Sequence, residues 1–91
     1  MGSVVFNDIA DYLRHGREIK FAYKGKQYSI TNHSGFWHLC DDTDNILLET
    51  VCQFEEKQTL VARIAIAVIR DLTIQQIFDK QVYDTDKLSI I

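Results

Sequence analysis

EIKFAYKGKQYSITNHSGFWHL, residues 18–39, decides the fold. Ile19, Phe21 and Tyr23 alternate with Glu18, Lys20 and Ala22. That period of two belongs to a strand with one buried face. Lys24-Gly25 is the turn, glycine supplying the positive φ that a tight hairpin requires. Tyr28 and Ile30 then share the face of Ile19 and Phe21, and Ser29 and Thr31 take the polar face. The pattern predicts a β-hairpin with strands over 18–23 and 26–32. His33-Ser34-Gly35 turns the chain again, into an aromatic strand over 36–40. Trp37 and Leu39 fall on one face of it, Phe36, His38 and Cys40 on the other. Both faces are bulky, so the strand is either covered on both sides or displays one as an exposed patch.

Upstream, residues 7–15 read as a short helix. Asn7 is placed to cap it and Asp8 to meet the positive end of its dipole. Phe6, Ile9 and Leu13 make its apolar stripe, and Gly16 is placed to end it in a left-handed conformation. Downstream, Asp41-Asp42-Thr43-Asp44-Asn45 is a turn by composition, and 46–50 reads as a fourth, weaker strand. From Glu55 the apolar spacing becomes helical, with Leu60, Val61, Ile64 and Val68 on one face. A helix is expected over about 55–65. Residues 66–71 fit helix and strand equally. Thr73-Ile74-Gln75-Gln76 is a capping box, with Leu72 and Ile77 at the staple positions, so a last helix should run to about Lys80. The apolar end Leu88-Ser89-Ile90-Ile91 should dock on its own chain or on a partner.

These elements predict one α+β domain over residues 1–91. It has an N-terminal helix, a three- or four-stranded antiparallel meander and two C-terminal helices packed on one sheet face. Composition agrees: 46% hydrophobic and 25% charged residues are the proportions of an ordinary globular protein. No apolar stretch approaches a membrane span, and no signal segment is evident. Met1-Gly2 invites myristoylation, but Phe6 stands where that motif has Ser or Thr. Met1-Gly2-Ser3 reads equally well as a cloning remnant. Cys40 and Cys52 are too few for a disulfide framework, which points to the reducing cytoplasm.

Several chemistries are weighed and set aside. His38 and Cys40 share a strand face, with His33 and Cys52 as further zinc ligand types, but no second pair fixes a geometry. Cys40, His38 and Asp41 supply a nucleophile, a base and an orienting acid, yet Asp41 points away from His38 and nothing activates the thiol. The acidic turn lacks the glycine and distant glutamate of a calcium loop. No metal, cofactor or enzymatic activity is therefore expected.

Charge is the clearest surface feature. Arg14, Arg17, Lys20, Lys24 and Lys26 lie within residues 14–26, opposed only by Glu18. Residues 41–56 hold six acids and no base. Such segregation favours oriented docking on a complementary protein. The same cations, interleaved with Tyr23, Tyr28, Phe36 and Trp37, also suit a single nucleic-acid strand. The net charge of −3, and Lys20 on the face opposite Tyr23 and Tyr28, disfavour that alternative.

Residues 16–32, GREIKFAYKGKQYSITN, then Gly35-Phe36-Trp37-His38-Leu39 and a tail containing Ile77-Phe78-Asp79, resemble small uncharacterised α+β proteins of Firmicutes and their prophages. The resemblance implies a bacterial cytoplasmic domain. It brings no activity and no catalytic residues. The expected function is a non-enzymatic protein-binding or regulatory module. Its expected surface is Arg17, Lys20, Lys24, Lys26, Phe36, Trp37 and His38, with aromatic anchors for affinity and charge for orientation. Self-association is a further expectation, because residues 62–69 and Ile90-Ile91 carry more apolar surface than one small sheet needs covered.

Overall fold

The alternating residues 18–39 form consecutive strands of one antiparallel sheet, as expected. The computed structural model describes residues 4–91, so the readings of Met1-Gly2-Ser3 lie outside the described residues. The order is α1 (Phe6–Arg14), β1 (Ile19–Tyr23), β2 (Lys26–His33), β3 (Phe36–Asp41), β4 (Ile46–Gln53), α2 (Lys57–Ile66), β5 (Val68–Ile69), β6 (Leu72–Thr73), α3 (Ile74–Asp79), a 3₁₀ turn (Thr85–Lys87) and β7 (Ser89–Ile90).

Both tight hairpins have two-residue turns with positive φ throughout. Lys24 and Gly25 stand at 51° and 80°, Ser34 and Gly35 at 54° and 84°. That is the primed geometry whose twist matches the strands on either side. It sets the register: Ile19 faces Ile30, Phe21 faces Tyr28, and Ile30 in turn faces Leu39. One sheet face therefore carries Ile19, Phe21, Tyr23, Tyr28, Ile30, Trp37 and Leu39, all buried. Ile9 and Leu13 of α1, Leu60 and Ile64 of α2, and Ile74, Ile77 and Phe78 of α3 complete the same core cluster.

The sheet has five strands in the order β4-β3-β2-β1-β7, where three or four were expected. The extra strand is the apolar C-terminal end, which docks on its own chain. Ile90 faces Ile19 and Ser89 faces Lys20. Asp84 N–H donates to the Ala22 carbonyl at 2.9 Å and Ile91 N–H to the Glu18 carbonyl at 2.8 Å. Residues 66–71, which pattern alone left open, end α2 and start a small hairpin of β5 and β6, with Arg70 at a φ of 61°.

The helix boundaries follow their caps. Thr73 Oγ1 accepts from Gln76 N–H at 3.1 Å and Gln76 Oε1 from Thr73 N–H at 2.9 Å, the expected capping box. Gly16, at a φ of 79°, ends α1 in a Schellman motif: Arg17 N–H donates to the Tyr12 carbonyl and Gly16 N–H to the Leu13 carbonyl. Asn7 is not the cap of α1. The helix begins earlier, behind Val5, because two carboxylates satisfy its first N–H groups. Asp8 accepts from Val5 at 3.1 Å, and Asp79, at the far end of α3, from Phe6 at 3.0 Å.

Candidate functional site

The expected surface divides when its residues are placed. Trp37 is fully buried and leaves it. Its ring stacks on Phe54, centroids 5.6 Å apart, and its Nε1 donates to the Phe54 carbonyl at 3.1 Å. The choice between core and display was undecidable from strand alternation alone, because both faces of β3 carry large side chains. The helices lie on the Trp37 side.

Phe36 and His38 stay on the open face. Phe36 is exposed and lines a shallow cleft of about 520 Å³ with Asn32, Gly35, Gln53, Phe54 and Glu55. His38 is half-buried, and its ring nitrogens lie 3.5 Å from the Thr50 hydroxyl and 3.4 Å from the His33 carbonyl. Its neighbour Cys40 has its thiol pushed up by burial and by the charge of Asp42, the direction away from an activated nucleophile. Burial, and then the charge of Glu56, likewise push up the Cys52 thiol. Among the described residues no three His, Cys, Asp or Glu side chains are placed to hold a metal.

The cations are mostly engaged within the chain. Arg17 Nε donates to the Ile91 carbonyl at 3.0 Å. Lys26 pairs with Asp44 and, at 3.6 Å, with the buried carboxylate of Asp41. The basic and acidic stretches, far apart in sequence, thus meet across β2 and β3, and the charge segregation largely closes on itself. Lys20 alone of the expected cations has no ion pair or hydrogen bond among the described residues, and it is exposed beside Ser29 on the open face.

Lys24 holds a clasp between two hairpins. Its Nζ donates to Asp71 at 2.7 Å, and the Tyr23 hydroxyl donates to the same carboxylate at 2.6 Å. The hydrogen bonds from Lys24 and then Tyr23 hold the Asp71 carboxyl at about 2. A folded-state value below the unfolded one, about 3.9 for aspartate, stabilises the fold above that unfolded value. The contribution disappears as pH falls from about 4 through about 2. Asp71→Asn should therefore lower the urea midpoint by a constant amount from pH 5 to 7. The two midpoints should converge as pH falls toward about 2. A gap that persists there would mean that the clasp does not act through the carboxylate charge. The pair is half-exposed, so solvent screening keeps the gap small.

One surface was missed by the sequence reading. β4 ends the sheet, and along its first half Ile46, Leu47 and Leu48 are 49%, 56% and 44% exposed. Ile66 and Val68, at the end of α2 and in β5, are exposed at 71% and 63%. Leu48, Val68 and Ile69 line one depression of about 210 Å³, so the two apolar segments adjoin. The second half of β4 is closed by the chain itself. Arg63 Nη1 donates to the Val51 carbonyl at 2.6 Å, and Glu56 Oε1 accepts from Gln53 N–H at 3.0 Å. Among the described residues no side chain hydrogen-bonds the backbone of residues 46–49. The signal was present as Ile46-Leu47-Leu48 without alternation, but only the strand order shows that it lies at an edge.

Comparison with protein-family models, with curated proteins and with solved structures gives no match.

Proposed function

We propose that this chain is a non-enzymatic binding or regulatory module that acts through protein contacts, and that the outer edge of β4 is its contact surface. One observation carries the reading. An edge strand ordinarily shows lysine, proline or another device that blocks strand addition. The exposed half of β4 has a register shift at Leu48 but no lysine or proline: it reads Ile46-Leu47-Leu48, beside exposed Ile66 and Val68. An apolar patch of that kind, rimmed by polar residues, marks an interaction site. Affinity comes from those aliphatic side chains. Of the basic hairpin, Lys20 has no ion pair or hydrogen bond among the described residues and is left to set orientation, since Arg17, Lys24 and Lys26 are engaged within the chain. A bacterial or prophage protein working in a reducing cytoplasm fits this reading, and the two unbridged cysteines suit that compartment.

The alternative, a single-stranded nucleic-acid binder, gains no support. Tyr23, Tyr28 and Trp37 are buried under the helices, and Lys24 and Lys26 are paired with carboxylates. Stacking and phosphate contacts need those groups free.

Site-specific photocrosslinking tests the surface. A benzophenone side chain is placed in turn at Leu47, on the β4 edge, and at Lys20 and Lys24, on the open face and the basic turn. In extract of the source cell, position 47 should give discrete protein adducts and the other two should give few. Adducts from Lys20 and Lys24 with none from Leu47 would return the site to the basic hairpin.

A further inference from the structure

We propose that the uncapped segment of β4 pairs antiparallel with the same segment of a second copy, about a two-fold axis at Leu47. This rests on the reading of the β4 edge as a contact surface, and it names the occupant. Leu47 then faces Leu47 of the other copy, and Ile46 faces Leu48. The arrangement respects the faces of the strand. Leu47 lies opposite Cys40 on the open face of the sheet. Ile46 lies opposite Asp41, and Leu48 lines the depression shared with Val68.

Three features favour a second copy. The first is charge. The turn before β4 carries exposed Asp42, which has no ion pair among the described residues, and exposed Asp44, which Lys26 already pairs. At the other end stands Arg63, also exposed, which binds the Val51 carbonyl and has no carboxylate within salt-bridge distance among the described residues. Antiparallel self-pairing brings the acidic turn of each molecule toward Arg63 of the other, twice over. The register shift at Leu48 ends the regular pairing before Glu49, so no two like charges face each other within it. A parallel pairing would instead set acid beside acid.

The second is area. Ile46, Leu47, Leu48, Ile66 and Val68 together expose apolar surface on the order of the largest patch an ordinary monomer carries, about 300–600 Å². Doubled by the two-fold axis, this is about 600–1,200 Å², a range that includes the roughly 1,000 Å² lower bound for a specific interface. A reversible, concentration-dependent dimer is the expected species.

The third is the limit set by the caps. Arg63 and Glu56 occupy the backbone groups of Val51 and Gln53, so only residues 46–49 accept a new strand. A self-pair centred on Leu47 uses that window and stops where the caps begin.

Sedimentation velocity of the full chain from about 1 to 500 μM, spanning the affinity range of transient interfaces, is the first test. Mass should move from one chain to two over this range. Leu47→Lys and Leu48→Asp should each shift the midpoint at least about tenfold upward, with circular dichroism unchanged because both side chains are about half exposed. The register is tested with Leu47→Cys in a Cys40→Ser background, which removes the thiol paired with position 47 within the same molecule. Opposed antiparallel residues have Cα separations suited to a disulfide. Mild oxidation should therefore yield a covalent dimer, while Lys20→Cys in that background should not. A chain that stays monomeric throughout overturns self-pairing. So does a dimer indifferent to Leu47→Lys, or one that Leu47→Cys fails to cross-link. Photocrosslinks from Leu47 to a different protein, with no self-dimer, would preserve the contact surface and reject this occupant.

Discussion

Trp37→Ala is expected to lower the unfolding free energy by about 3–5 kcal/mol, the usual loss for an aromatic removed from a closed core. A small domain has roughly 5–15 kcal/mol in all, so the urea midpoint should fall by a large fraction. The site explains the size. Trp37 is fully buried, stacks on Phe54 with planes 7° apart, and donates its indole N–H to the Phe54 carbonyl. Lys57 Nζ lies 3.9 Å from the centroid of the Phe54 ring, so the removed side chain also supports a cation–π contact. Trp37→Phe keeps most of the apolar volume and loses chiefly the hydrogen bond, about 1 kcal/mol. In the native protein, emission from Trp37 should be blue-shifted and protected from iodide. A red, quenchable Trp37, or an alanine variant with an unchanged midpoint, would show that the third strand is not part of the core.

Ending the chain after Tyr83 should be nearly as damaging. Residues 84–91 bond β1 at both ends and form β7. Leu88 and Ile90 pack against the core, and Arg17 binds the backbone of Ile90 and Ile91. Losing two half-buried aliphatic side chains and several backbone hydrogen bonds should destabilise by about 2–3 kcal/mol, net of the conformational entropy the segment regains. The truncation also uncovers the edge of β1, so the shortened chain should aggregate on size exclusion where the full chain does not. A truncated protein with the original urea midpoint and a clean elution profile would mean that β7 is an ornament to the sheet rather than its cover.

How much of this was legible depends on the range of the interactions involved. The β1–β2 hairpin, the capping box at Thr73 and the left-handed Gly16 are local. Each is written within a few residues, and each appears where the sequence puts it. The start of α1 was read at Asn7 because a short polar side chain is the usual cap. The actual donor–acceptor partner of Phe6 is Asp79, which is remote in sequence. β7 eluded the count of strands for the same reason: Ser89-Ile90 has no strand signal of its own and is made a strand by β1. The apparent segregation of charge was an artefact of reading in one dimension, since Lys26 meets Asp41 and Asp44 only after β2 and β3 pair. The fate of Phe36, Trp37 and His38 turned on one fact that alternation does not contain, namely which sheet face the helices cover, and that of Arg17, Lys24 and Lys26 on partners remote in sequence.

The two margins of the sheet give the molecule a valence. The β1 side is finished by the chain's own last residues, and the far half of β4 by Arg63 and Glu56. On the β4 margin one short stretch is left open among the described residues, and the opposite margin, β7, is only two residues long. A building block with two openings grows without limit into fibres, whereas one with a single opening joins once and is then exhausted. The caps on β4 and the tail on β1 act as chain terminators. They let this protein carry a sticky strand while keeping any assembly through it finite.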